Sequence, residues 1–188
     1  MHRAALLAVL LLAAGCSQQR GGHIYRVPSS SMEPTLHCAK PAPGCEAAQR
    51  DLVYAVPYKD DKPRRGDMVV FQTPRLALMD CGSSGLFIKR VIGLPGDRWQ
   101  EKNGAVYIDG RELSEPYVTS ARRDNRTLTM KDIPPRGTLD RVPPRMYLVL
   151  GDNRRASCDS RVWGLVPLAN IRGKIVEIKR GSERIHLR

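Results

Sequence analysis

The sequence lacks most of the features that mark the commonest enzyme and membrane-protein classes. Only one apolar run, residues 4–15, approaches membrane length, so a protein with several membrane spans is excluded. There is no C-x-x-C or H-E-x-x-H spacing to hold zinc, and no glycine-rich phosphate or dinucleotide motif. Internal repeats are absent, and helical periodicity is weak. These absences leave no basis for expecting a metal or a cofactor.

The N-terminus has the pattern of a targeting segment. A polar head, His2 and Arg3, precedes the apolar run 4–15, which is shorter than the roughly 20 residues that cross a bilayer. The run ends in LAAGC at residues 12–16, which resembles the lipobox of bacterial lipoproteins, where the cysteine becomes acylated. We therefore interpret residues 1–15 as a lipoprotein-type signal peptide, Cys16 as the lipidation site and residues 16–26 as a tether. There are two alternatives: an ordinary signal peptide in which the cysteine occurs by chance, and a short anchor that is retained.

The rest of the composition predicts one basic globular domain, residues 27–188. Hydrophobic residues make up 41% of the 188, which excludes a disordered polyelectrolyte. Lysine and arginine number 31 against 19 aspartates and glutamates, a net charge of +12. Because the chain is predicted to be exported and carries no recognised DNA- or RNA-binding motif, a phospholipid bilayer is the expected anionic partner, and nucleic acid is not.

Four cysteines remain in the exported chain: Cys38, Cys45, Cys81 and Cys158. They allow three pairings, and an oxidising compartment makes disulfides plausible. Cys38 and Cys45 bracket the short loop AKPAPG and form the favoured local pair, which would leave Cys81 with Cys158. Free thiols at one or both pairs are the alternative.

Short runs rich in β-branched and aromatic residues recur along the chain with turn residues between them. This pattern is typical of a mostly β fold. The clearest predicted strands are residues 52–56, 68–71, 86–92, 105–108, 146–150 and 171–178. Residues 113–145 are instead polar, basic and rich in proline, which predicts a polar flap with a solvated surface inserted between strands.

One lysine occupies an unusual place in the predicted strand 86–92. Strand alternation puts Phe87, Lys89 and Val91 on the same face. Lysine is rarely buried without a partner or a role, and burial lowers its pKa so that the amine can act as a base. The alternative is a lysine whose stem follows the apolar surface while its amine reaches solvent.

Three consecutive serines, residues 29–31, form a candidate nucleophilic segment, although a linker or helix cap would have the same composition. A serine nucleophile needs a proton acceptor, which is usually histidine. None of the three histidines of the exported chain has a recognisable acidic partner or a G-x-S-x-G turn beside it. A serine–lysine pair is the remaining common arrangement, and Lys89 is its candidate.

Four blocks of this sequence, in the same order along the chain, resemble those of bacterial type I signal peptidases. They are PSSSMEPTL at 28–36, RGDMVVF at 65–71, FIKRVIGLPGD at 87–97 and GDNRRASCDSRVWG at 151–164. The resemblance implies a mostly β fold of coiled antiparallel sheets with few short helices. It also implies a membrane-associated serine endopeptidase that cleaves N-terminal signal peptides from exported preproteins after small-x-small sites.

The same resemblance implies roles for individual residues. Ser31 would be the nucleophile and Lys89 the general base, with Ser29 in the oxyanion hole and Ser157 orienting the Lys89 amine. The positions expected to line pockets for small substrate residues are Val27, Pro28, Met32, Phe87 and Ile88. The positions expected to support the site from behind are Asp152, Asp159 and Arg161.

The expected location is the bacterial cell envelope, with the catalytic domain anchored on the extracytoplasmic side of a membrane. The expected partners are exported preproteins and the bilayer, and the expected state is a monomer. Two other interpretations stay open: a specialised peptidase that matures pilus or conjugation components, and a non-catalytic envelope lipoprotein that binds exported peptides.

Overall fold

The computed structural model describes residues 21–59 and 61–187. The predicted signal peptide and the lipidation site Cys16 lie outside these residues. Within the described ranges, no helix has the length and apolar composition needed to cross a membrane.

The described residues form short strands with few helices, as expected. The strands are β1 (His23–Arg26), β2 (Leu52–Val56), β3 (Met68–Gln72), β4 (Leu86–Gly93), β5 (Trp99–Lys102), β6 (Ala105–Ile108), β7 (Arg111–Glu112), β8 (Leu128–Thr129), β9 (Met146–Leu150), β10 (Val166–Pro167), β11 (Ile171–Arg180) and β12 (Glu183–His186). The α-helices are α1 (Leu76–Cys81) and α2 (Ser160–Trp163). Single 3₁₀ turns lie at Ser30–Met32, Ser120–Arg122, Met130–Asp132 and Leu168–Asn170.

The strands pair antiparallel in two sheets. The larger has the order β1-β2-β11-β3-β4-β9-β10, with β12 also paired to β11, and the smaller has the order β7-β6-β5-β8. The register shifts in β11 against both β2 and β3, and in β4 against β9, and such irregularities bend and twist a sheet. The expected fold of coiled antiparallel sheets is confirmed.

Strand β4 is central to the larger sheet and is covered on both faces. It pairs with β3 on one side, where Lys89 lies opposite Val69, and with β9 on the other. The apolar residues of β3, β4 and β9 therefore contribute to separate core clusters, with Val70 in the first, Ile92 in the second and Val91 in the third. A side chain near the middle of β4 is consequently buried on either face.

Two parts of the chain differ from the sequence interpretation. Residues 23–26, assigned to the tether, form the edge strand β1 and pair in register with β2. The segment 113–145 is polar, as expected, but it is packed against the core: Met130, Ile133 and Val142 are buried beside Trp99 of the smaller sheet. Apolar residues spaced along a polar segment anchor it, because each buries surface that solvent would otherwise face.

Candidate active site

The three serines lie in a turn that follows β1 and Val27. Ser30–Met32 forms one 3₁₀ turn, and only 8% of Ser31 is exposed. Asn153 fixes this turn from the loop after β9, donating its side-chain amide to the Ser30 carbonyl (3.0 Å) and its backbone N–H to the Ser31 carbonyl (3.1 Å). The Ser31 backbone is thus held by a residue 122 positions further along the chain.

The Ser31 hydroxyl meets the amine of Lys89. Lys89 Nζ donates a hydrogen bond to Ser31 Oγ at 2.7 Å, across 58 positions of sequence. Only 3% of Lys89 is exposed, and its Nζ lies 5.4 Å from the centre of the Phe87 ring. Lys89 is therefore buried, and its amine does not reach out into solvent.

Burial controls the charge of this amine. Loss of hydration lowers the pKa of Lys89 from 10.5 to about 8, with Arg161 adding to the effect. The carboxylates of Asp159 and Asp152 act in the opposite direction, because a negative charge favours the ammonium form. The net result is an amine that loses its proton near physiological pH.

Asp152 is one of the two supporting carboxylates. It accepts hydrogen bonds from Arg90 Nε at 2.9 Å and Arg90 Nη2 at 2.6 Å, and another from Thr35 Oγ1 at 2.5 Å. Arg90 follows Lys89 in β4, and Thr35 follows the serine turn. Asp152 therefore joins the strand that carries the lysine to the segment that carries the serine.

Asp159 is the other carboxylate and forms the expected ion pair with Arg161. Its oxygens accept from Arg161 Nε and Nη2, both at 2.9 Å, and from the Gly151 backbone N–H at 3.1 Å. Burial alone would raise the pKa of Asp159, but the attached Arg161 guanidinium holds that pKa below its ordinary value. The carboxylate consequently stays ionised.

The two remaining serines are placed differently. Ser29 Oγ lies 3.3 Å from Ser31 Oγ, as expected for a hydroxyl that faces the same reaction centre. The hydrogen bond expected between Ser157 and the Lys89 amine is not present: Ser157 Oγ is buried. The Ser157 hydroxyl instead interacts with the Asp159 carboxylate and helps to keep the pKa of Asp159 low. A methyl group built on Gly151 would overlap Ser157 Oγ and the Ser31 carbonyl oxygen, so Gly151 is what allows these groups to approach each other.

A groove of about 600 Å³ opens at Ser31 and Lys89. All five residues expected to line substrate pockets do line it: Val27, Pro28, Met32, Phe87 and Ile88. Tyr25 and Arg26 of β1 and Leu86 of β4 extend the wall beyond them. The groove is mostly apolar and uncharged except at Arg26 and Lys89, and so it fits an extended peptide with small uncharged side chains.

The cysteines form the favoured local pair and the pair that it leaves. Cys38 bonds to Cys45 and Cys81 bonds to Cys158, with Cα atoms 5.2 and 6.2 Å apart. Cys81 and Cys158 both line the groove, so the second disulfide ties the end of α1 to the residue after Ser157. In the described ranges, no group of three or more His, Cys, Asp or Glu side chains is placed to hold a metal ion.

Several residues that complete the site are not identifiable from the sequence motifs alone. They are Thr35, Arg90, Gly151 and Asn153, which lie within the matched blocks, and Glu101, Glu115 and Asp124, which lie outside them. The first four could have been suspected from their position beside the named residues. The three acids carry no local signal, because their partners are far away along the chain.

Comparisons with known proteins agree with this fold. The chain is 40% identical over 153 residues to "Signal peptidase I" of Leptolyngbya laminosa, covering 80% of this chain and 64% of the relative. It is 38% identical over 150 residues to "Probable signal peptidase I-2" of Synechocystis sp., covering 79% of this chain and 58% of the relative. The chain thus spans about three fifths of the length of these two relatives.

A solved structure is also similar. A signal peptidase I from Enterococcus faecalis V583 superposes with a TM-score of 0.52 at 35% identity, covering 62% of this chain and 98% of that one. The fold is therefore of the signal-peptidase type. The family model "Signal peptidase, peptidase S26" matches residues 1–179, and the chain belongs to this family.

Proposed function

We propose that the protein is a membrane-associated serine endopeptidase that removes N-terminal signal peptides from exported preproteins, using Ser31 and Lys89. The observation that supports this most is the 2.7 Å hydrogen bond between Lys89 Nζ and Ser31 Oγ at the floor of a peptide-sized groove. Family membership supports the substrate class, since the similar proteins are named signal peptidases.

The first step is attack by Ser31 on the carbonyl carbon of the scissile bond. The neutral Lys89 amine takes the hydroxyl proton while Oγ forms the new bond, which an ammonium group could not do. Because the pKa of Lys89 is about 8, a useful fraction of the amine is neutral at pH 7, whereas an ordinary lysine would be almost fully charged.

The carbonyl oxygen becomes an oxyanion in this step. The Ser31 backbone N–H and the Ser29 hydroxyl are the donors we propose for it, because Ser29 Oγ lies 3.3 Å from the attacking oxygen. Loss of one such donor commonly costs about 10²–10³ in rate. Lys89 then returns its proton to the leaving amine, and a water molecule hydrolyses the acyl-enzyme with Lys89 again as the base.

We propose that Ser157 contacts the Lys89 amine only after the hydrogen bond between Lys89 and Ser31 is lost. In the described structure Lys89 bonds to Ser31, and the buried Ser157 hydroxyl faces the Asp159 carboxylate and not the amine. Once Ser31 is acylated, the amine loses this acceptor. The Ser157 hydroxyl would then be available to orient it.

We also propose that the protein is anchored at the membrane through an acylated Cys16, with the site on the extracytoplasmic side. The LAAGC sequence at 12–16 supports this, as does the net charge of +12, which suits an anionic lipid surface. The first residue of β1, His23, lies seven positions beyond Cys16, a stretch that spans at most about 25 Å when extended, so the tether would hold the domain close to the bilayer.

The test is cleavage of diverse detergent-solubilised preproteins by the full chain, read by mass spectrometry. We expect a single cut after a small-x-small sequence, lost in Ser31→Ala. The matched control is Ser30→Ala, which removes a neighbouring hydroxyl that donates to the Pro43 carbonyl at 3.1 Å and is expected to keep the cut. Peptide binding with no Ser31-dependent cut in any preprotein would contradict the proposal and favour a binding lipoprotein.

A further inference from the structure

We propose that Glu101 and Asp124 are positioning residues for the catalytic pair and act on it through the buried Arg161. The inference rests on the proposed function, because it assigns these two acids a part in the same reaction. Neither acid contacts Ser31 or Lys89, and neither belongs to the sequence blocks that match the signal peptidases.

The geometry joins three separate parts of the chain at one guanidinium. Arg161 Nη1 donates to Glu101 Oε1 at 3.2 Å and to Asp124 Oδ2 at 2.8 Å, while its Nε and Nη2 hold Asp159. Arg161 Nη2 also donates to the Arg154 carbonyl at 3.0 Å. Glu101 and Arg161 have fully buried side chains, so water does not replace these bonds.

The position of Arg161 determines the position of the groups behind the nucleophile. Asp159, held by Arg161, accepts the Gly151 N–H at 3.1 Å, and Gly151 packs directly against the Ser31 carbonyl and Ser157. Arg161 also holds the loop 151–157 through the Arg154 carbonyl. A shift of Arg161 would therefore move the backing of both serines.

The charge of Arg161 also reaches the reacting amine. Arg161 lowers the pKa of Lys89 and Asp159 raises it. Glu101 and Asp124 partly neutralise Arg161 from its outer side, and removing either acid leaves more of its positive charge to act on Lys89. The acids thereby set how readily Lys89 loses its proton.

The charge of the Glu101 carboxyl group itself changes with pH near neutrality. Burial raises the pKa of Glu101 to about 7, Asp124 and Asp159 act in the same direction, and Arg161 and Arg154 oppose it. Glu101 therefore becomes fully ionised only above neutral pH, where its charge delays the deprotonation of Lys89. A carboxylate of the smaller sheet, on β5, is in this way coupled to the catalytic amine.

The segment 113–145 acquires a function from the same contacts. It supplies Asp124 to Arg161, and the Glu115 carboxylate pairs with the buried Arg154, whose Nε donates to the Gly151 carbonyl at 3.0 Å. Residues expected to form a solvated flap thus brace the last catalytic block from outside. The side chains of the segment that contact the two buried arginines are acidic.

The test compares Glu101→Gln and Asp124→Asn with the wild type in the full chain, by two measurements. The first is the titration of Lys89, followed by NMR on lysine labelled at the ε carbon. The second is kcat and KM for a preprotein as a function of pH. We expect the Lys89 titration and the acid limb of kcat/KM to move together, by about half a pH unit, to lower pH. We expect kcat to fall about tenfold at its plateau, with KM little changed, because a small misplacement of catalytic groups lowers the chemical rate.

The matched control is Asp51→Asn, which removes a buried carboxylate that pairs with Arg180 at 2.8 Å and does not face Lys89. It is expected to lower stability and leave the Lys89 titration unchanged. Unchanged Lys89 titration in both acid variants would overturn the inference, even if their stability falls. If Glu101→Gln fails to fold, Asp124→Asn decides alone. A chain that cuts no preprotein but shows the Lys89 shift would contradict the proposed function and retain the coupling.

Discussion

Replacing Lys89 with methionine is expected to abolish preprotein cleavage and to raise the stability of the folded protein at pH 7. Methionine has a similar volume but no proton acceptor, so Ser31 is left without a base. Loss of a residue that acts as nucleophile or base typically lowers kcat by about 10⁴-fold or more.

The gain in stability follows from the direction of the pKa shift. In the folded protein the pKa of Lys89 is about 8, below its ordinary value of 10.5, so the folded state binds this proton less tightly than the unfolded state. Below pH 8 the charged amine therefore disfavours folding by up to about 3 kcal/mol. The penalty declines as pH rises from 8 to 10.5, and methionine removes it throughout.

Chemical unfolding across this pH range measures the effect. Lys89→Met is expected to exceed the wild type in free energy of unfolding below pH 8 and to lose that advantage above pH 10.5. Lys89→Arg serves as a companion: guanidinium does not deprotonate in proteins, so this variant should be inactive without the gain in stability. As a control, Lys174→Met removes a lysine paired with Asp67 at 2.9 Å, and it should lower stability while cleavage persists. A cleaving Lys89→Met or Lys89→Arg variant would contradict the proposed mechanism.

Gly151→Ala is expected to lower kcat/KM about 100-fold in protein that remains folded. The added methyl group would overlap the Ser31 carbonyl oxygen and Ser157 Oγ and would lie 2.5 Å from Ser157 Cβ. The backbone oxygen cannot move without displacing the nucleophile, and a displacement of about 1 Å can cost about 100-fold in rate. The same overlap is expected to cost about 1–3 kcal/mol in stability.

Gly173→Ala separates the loss of kcat/KM from the loss of stability, because it introduces a methyl group away from the catalytic serine. That methyl would lie 2.5 Å from the Val56 carbonyl oxygen, in the sheet and not beside the serines. We expect a comparable loss of stability by thermal unfolding and nearly normal kcat/KM for the folded fraction. If Gly151→Ala and Gly173→Ala reduce kcat/KM equally, the close approach at Gly151 has no particular role in positioning Ser31.

The sequence predicts those strands whose own residues carry the signal. Runs rich in β-branched and aromatic residues identify β2, β3, β4, β6, β9 and β11. Strands β5 and β12 are as long as β6, but they consist mainly of polar and charged residues and do not show the pattern. The two-residue strands β7, β8 and β10 have no room for it. The sequence of the edge strand β1 predicts a tether, because the pairing of β1 with β2 depends on a partner found only after folding.

The site residues also separate into those that the sequence predicts and those that it does not. Ser31 and Lys89 could be proposed from the serine turn, the unusual strand lysine and the family resemblance, and the structure brings the two side chains together. The acids around the catalytic block could not be proposed from the sequence. An acid in a polar segment has the same local sequence pattern whether it faces solvent or a buried arginine. The roles of Glu101 and Asp124 depend on their contact with Arg161, which lies 60 positions from Glu101 and 37 from Asp124.

The most direct test of the central claim is the titration of the Lys89 amine in the wild-type protein. With lysine labelled at the ε carbon, we expect one NMR resonance, absent in Lys89→Met, to titrate near pH 8, and kcat/KM for a preprotein to rise with the same midpoint. A Lys89 resonance that titrates near 10.5 would mean that the amine is charged and solvated at neutral pH. Lys89 would then not be the base that activates Ser31.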